Sequence, residues 1–156
     1  MARKNSRNAE FKTLLKGSFE NDVNGKVVGY PSIVETTNYE LLKLLKCNRN
    51  VAPNHVQKMG SSVTQLNNVL RDIVVVKIGF EYFIADGQHL NAYLKSVKLP
   101  IRCKLVEAKD EREALKIVTM LNSTSRNWGI KNFVDGWANF NKDVKVLKDL
   151  TKRFSL

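Results

Sequence analysis

"YFIADGQHLNAYLK", residues 82–95, decides how the rest of the chain is read. Tyr82, Phe83, Ile84 and Ala85 form an apolar, β-prone run that stops at Asp86-Gly87. Leu90, Tyr93, Leu94 and Val97 then recur at i, i+3, i+4 and i+7, one face of a helix. A glycine where a strand turns into a helix lets the backbone approach a ligand closely. The first helical turn offers unpaired N–H groups at the positive dipole end, a ready anion site. Gly87, Gln88 and His89 occupy that turn, and both side chains can hydrogen-bond phosphate or ribose oxygens. The plain alternative is a turn in which Asp86 caps its own helix and no ligand is involved.

Working outward, "DIVVVKIGFEYFIAD" predicts two strands around Gly79, and Pro100 opens a further strand, "IRCKLVEA". Asp110 is placed to cap the helix "EREALKIVTML", whose leading acids suit the positive helix end. Upstream, Pro53 suits the first turn of a helix in "APNHVQKM", and "NYELLKLLK" predicts another, with Asn38 as its cap. "KVVGYPSIVETT" carries two short strands, with Gly29 and Pro31 as breaks. Residues 1–25 predict a basic arm or short helix, with Phe11, Leu14 and Leu15 as an apolar patch. Beyond 121, Ile130, Phe133, Val134 and Trp137 make one helical face. Val144, Leu147, Leu150 and Phe154 make another, opposite Lys145, Lys148 and Lys152. Strands and helices mix without strict alternation, which predicts an α+β fold. The expected parts are an arm over 1–25, a domain of small mixed sheet and flanking helices over 26–140, and a C-terminal amphipathic basic helix over 141–156.

The chain has 156 residues, enough for one core, and 43% hydrophobic against 26% charged residues excludes a disordered composition. No apolar run suits a bilayer and the start lacks a signal-peptide core, so a cytoplasmic protein with no membrane partner is expected, in a bacterium or a phage-infected cell. Cys47 and Cys103 have neither metal-ligand nor CxxC spacing; both are expected to be reduced, with Cys103 buried on a strand. Two histidines and no ligand spacing give no metal site. The net charge of +11 favours a polyanionic partner, DNA above all, although solubility alone would account for it equally well.

"IVVVKIGFEYFIADGQHLNAYLKSVKLPIRCKLVEA" as a whole resembles the central part of the ParB / sulfiredoxin superfamily, where a strand ends in a DGQHR-like or GERR-like box. "NYELLKLLKCNRNVAPNHVQKMGSSV" is similar to that family's first box, and "LNSTSRNWGIKNF" resembles its third. The likeness spans about residues 33–140. It implies a ParB/sulfiredoxin-like fold and a site drawn from three places. Gly87, Gln88 and His89 hold phosphates at the helix start, Arg49 comes from the first box, and Asn122, Ser123, Thr124 and Arg126 come from the third. The family's pocket is a CTP-operated switch in ParB partition proteins and an ATP site in sulfiredoxins, so CTP or ATP with Mg2+ is the ligand implied. DNA as partner and a phage or mobile-element origin are implied as well. Because other members are described as nucleases, Asp86 and His89 (with Glu35) are the candidate catalytic groups.

The chain departs from this pattern in four ways. Gln88 stands where sulfiredoxins have their cysteine, which removes the nucleophile of that chemistry. Leu90 stands where the box has an arginine, which costs the site a forked phosphate ligand. One extra residue separates Asn122 from Arg126, and the sixteen residues after Phe140 leave no room for the helix-turn-helix of partition proteins. Four functions stay open: a ParB-like DNA-binding protein, a nucleotide switch or weak NTPase, a nuclease, and an interaction module that has lost its ligand. A homodimer is compatible with each. The DNA-contacting residues expected are Lys142, Lys145, Lys148, Lys152 and Arg153, with a solvated face as the alternative.

Overall fold

The structure is a computed structural model that describes residues 11–46, 48, 50–124, 134, 138 and 141–154. Within them the strands are β1 (Lys12–Leu15), β2 (Ser18–Asn21), β3 (Val27–Tyr30), β4 (Ser32–Thr36), β5 (Leu42–Leu44), β6 (Ile73–Ile78), β7 (Glu81–Asp86) and β8 (Ile101–Ala108). The helices are α1 (Pro53–Leu66), α2 (Gln88–Ser96), α3 (Glu111–Thr124) and α4 (Lys142–Arg153). The fold class is α+β, as expected. Contacts divide the chain into two units, Met1–Leu121 and Asn122–Leu156.

The first unit is built on a six-stranded sheet in the order β1-β4-β8-β6-β7-β5. β8 pairs parallel with β6 and β5 parallel with β7; the remaining pairs are antiparallel. β6 and the middle of β7 are apolar runs because both of their faces are covered, whereas β8 alternates, with Arg102 and Lys104 exposed. Ile73, Val75, Ile84, Ile101 and Cys103 face one side, where Leu90 and Leu94 of α2 and Val63 of α1 pack on them. Val76 and Ala85 face the other, against Ala114 and Val118 of α3. Gly79 turns the β6–β7 hairpin with φ +60, as its sequence predicts. Pro53 stands in the first turn of α1, and Asp110 Oδ1 accepts from Glu113 N–H at 2.8 Å at the start of α3.

Two expectations fail. "NYELLKLLK" is not a helix but a 3₁₀ turn, Tyr39–Leu41, followed by edge strand β5. Its leucine doublets satisfy a strand as well, since Leu42 enters one core cluster and Leu45 the other. Asn38 makes no side-chain cap that would have favoured a helix. The stretch after Phe11 is not a loose arm or short helix either. β1 pairs with β4 at the sheet edge, the Phe11 ring meets Tyr82 edge-on at 4.8 Å, and β2 and β3 form a separate two-stranded sheet.

Candidate functional site

β7 ends at Asp86, and the register of the hairpin slips just there. Val74 faces Asp86 while Val75 faces Ile84, so Ala85 is an inserted residue. Such bulges re-aim the residues that follow them. Gly87 then takes φ +94, a left-handed conformation that opens α2. A Cβ there would stand 3.1 Å from Ile73 Cγ1, a tight contact that adds to the demand this φ makes for glycine. The helix start carries no side-chain cap. Asp86 does not cap it; the carboxylate faces Arg71 Nη2 at 3.6 Å instead. Arg71 thereby offsets the negative charge beside the amides that would meet a phosphate.

Gln88 and His89 are half-buried in this first turn. His89 is committed inside the protein: its Nε2 accepts the Ala52 N–H at 3.3 Å, and its ring centroid lies 5.0 Å from that of His55. In the neutral ring the proton then resides on Nδ1. Burial, and next the neighbouring His55, hold the His89 pKa below its ordinary value. Ala52 is the N-cap of α1 and offers no side-chain cap of its own. The starts of α1 and α2 are therefore joined by one histidine. Farther along, a Cβ on Gly60 would lie 2.6 Å from the Tyr93 ring, the close approach that lets the two helices lie together.

A groove of about 740 Å³ runs between α1 and α2, lined by Val51, Pro53, Val56, Gly60 and Tyr93 among others, with no charged side chain in its wall among the described residues. Gly87, Gln88 and His89 do not line it. A smaller cavity of about 290 Å³ holds Arg71, Asp72, Glu35 and Arg102 over Leu94 and Leu99. Glu35 there is engaged by Arg102 Nε at 3.0 Å. Leu90 is buried in the core beside Leu94, so the position of the family's box arginine is a packing position here.

Of the remaining expected site residues, Asn122, Ser123 and Thr124 form the last turn of α3, with side chains outside what the structure describes. Arg49 and Arg126 also lie outside the described residues. Nearby, Asn48 Nδ2 donates to Ile84 O at 2.8 Å and ties the chain after β5 to β7. Arg71 and His55 are the contributors that sequence reading did not place.

In the second unit, Asn141 caps α4 by accepting from Asp143 N–H at 2.9 Å and Val144 N–H at 3.3 Å. Lys145, Lys148, Asp149 and Lys152 line one shallow concavity of about 290 Å³, with Lys142 and Arg153 at the helix ends. Among the described residues no three His, Cys, Asp or Glu side chains are grouped to hold a metal. No helix among them is long and apolar enough to cross a membrane.

No family model matches the chain, and no curated protein matches it with significance. Among solved structures it is similar to the C-terminally truncated chromosome-partitioning protein ParB from Caulobacter crescentus, complexed with CTP-gamma-S. The TM-score is 0.53 at 17% identity, over 79% of this chain and 64% of that one. The fold is ParB-like. Sulfiredoxin from Arabidopsis thaliana is also similar, with a TM-score of 0.43 at 24% identity over 57% of this chain and 98% of its own. The present chain thus spans somewhat less than two thirds of the ParB chain it matches.

Proposed function

We propose that this chain is a ParB-like DNA-binding protein whose α4 holds the phosphate backbone. The observation that carries the reading is the basic face of α4. Lys142, Lys145, Lys148, Lys152 and Arg153 lie within one twelve-residue helix whose apolar residues fall on the other side. At a rise of about 1.5 Å per residue these cations cover about 15 Å, against duplex DNA with one charge per about 1.7 Å of axis. A net charge of +11 adds a long-range attraction. Electrophoretic shift of duplex and single-stranded DNA tests the reading; complexes at low salt are expected, and none at any salt would remove it.

A second reading, favoured by the uncapped start of α2, is that Gly87, Gln88 and His89 hold the phosphates of a nucleotide. The ParB relative was solved with CTP-gamma-S, and Arg71 beside Asp86 supplies a cation where the box arginine has become Leu90. CTP, or ATP, with Mg2+ is the ligand to try, with Arg49, Asn122, Ser123, Thr124 and Arg126 as the further contacts. Calorimetry should show heat with one of these that Gln88→Glu abolishes, since the added charge repels phosphate without disturbing Gly87. No heat with either nucleotide ends this reading and leaves the first standing. No geometric observation favours a nuclease: His89 Nε2, the natural general base, is already an acceptor within the protein.

A further inference from the structure

β2 and β3 form a sheet of only two strands, apart from the six-stranded sheet. Its turn is well made. Asp22 Oδ1 accepts from Asn24 and Lys26 N–H, both at 2.8 Å, and Gly25 takes φ +76. Every residue of both strands is nonetheless exposed, including Phe19 at 79%, Val27 at 69% and Tyr30. A two-stranded hairpin is marginal in water, and a third strand over an apolar face is what stabilises one. Phe19 and Val27 share a face, as the register Phe19↔Gly29 and Asn21↔Val27 requires. Among the described residues, that face and both outer edges are left without a partner strand.

We propose that this arm joins two copies of the chain, β2 of one pairing antiparallel with β2 of the other about a two-fold axis at Phe19. The choice of partner follows from charge. The arm from Gly17 to Pro31 carries Lys26 against Glu20 and Asp22, a net −1 on a chain of +11. Nucleic acid gains nothing there. Two copies of a strongly basic chain can meet only where cations are not brought together. A second exposed apolar strip, Val146, Leu147 and Leu150 on α4, is flanked by Lys142, Lys145, Lys152 and Arg153 and fails that condition. β2 is the better edge, because β3 contains Gly29 and runs into Pro31, which cannot donate. The symmetric pairing sets Phe19 opposite its counterpart and completes a four-stranded sheet.

Sedimentation equilibrium of the full chain over a concentration series tests this. The expected mass rises from 17.8 kDa toward twice that value, Phe19→Glu stays at the lower mass, and added salt strengthens the dimer by screening the two cationic bodies. That salt response is opposite in sign to DNA binding, so the two readings fail separately. Phe19→Cys, in a Cys47→Ser background, should oxidise to a covalent dimer faster than Lys152→Cys, a readout that does not depend on a lost fold. A single 17.8 kDa species throughout, a dimer indifferent to Phe19→Glu, or an arm that captures only a different protein would each overturn the proposal.

Discussion

Gly87, His89 and Cys103 show what single positions contribute. Gly87→Ala must bear a left-handed φ, about 1–2 kcal/mol for a residue with a Cβ, and press on Ile73. A loss of roughly 1–3 kcal/mol in urea unfolding is expected. His89 titrates below its ordinary 6.5 in the folded chain, so the unfolded state binds more protons as pH falls. Stability is full above pH 6.5 and is lost on acidification toward the lowered value. Urea midpoints at pH 7.5 and 5.5 should separate for the wild type and separate less for His89→Asn. Cys103 has the opposite sign. Burial, then Asp72, pushes its thiol from 9.0 to about 12. Its contribution is intact below pH 9.0 and disappears as pH rises toward 12. In a Cys47→Ser chain a thiol reagent should modify Cys103 only at the rate of unfolding. The DGQH junction was legible from residue types alone. The partners of Asp86 and His89 were not, because Arg71 and Ala52 reach them through the fold rather than along the chain.

At the scale of elements, the strands around Gly79, the Pro53 helix start, the Pro100-opened strand and the final basic helix could be read directly, since each carries a terminator or a clear period. "NYELLKLLK" could not, because paired leucines fit a helix and an edge strand alike, and pairing with β7 decided between them. The β2–β3 arm had a signal that went unused. Asn24-Gly25 is a strong hairpin pair, but no apolar alternation flanked it to mark the strands. For α4, its cap and its cations act together. Lys145→Ala with Lys152→Ala leaves the Asn141 cap in place, so helicity should persist while DNA affinity falls. Each lost phosphate contact removes about one from the salt slope, so the double variant should lose about two.

For the molecule as a whole, the ParB-like sheet and its helices follow from ordinary patterning, with a core on both faces of the central strands. Leu90, at the position where the resembled box has an arginine, is part of that core. What distinguishes this chain is its charge, concentrated in part on one capped amphipathic helix. Fluorescence anisotropy of a labelled duplex, titrated with the full chain between 50 and 200 mM salt, addresses that most directly. Four to five phosphate contacts predict a slope of log affinity against log salt of about −4. An affinity that does not change with salt, or no binding at the lowest salt, would contradict the account.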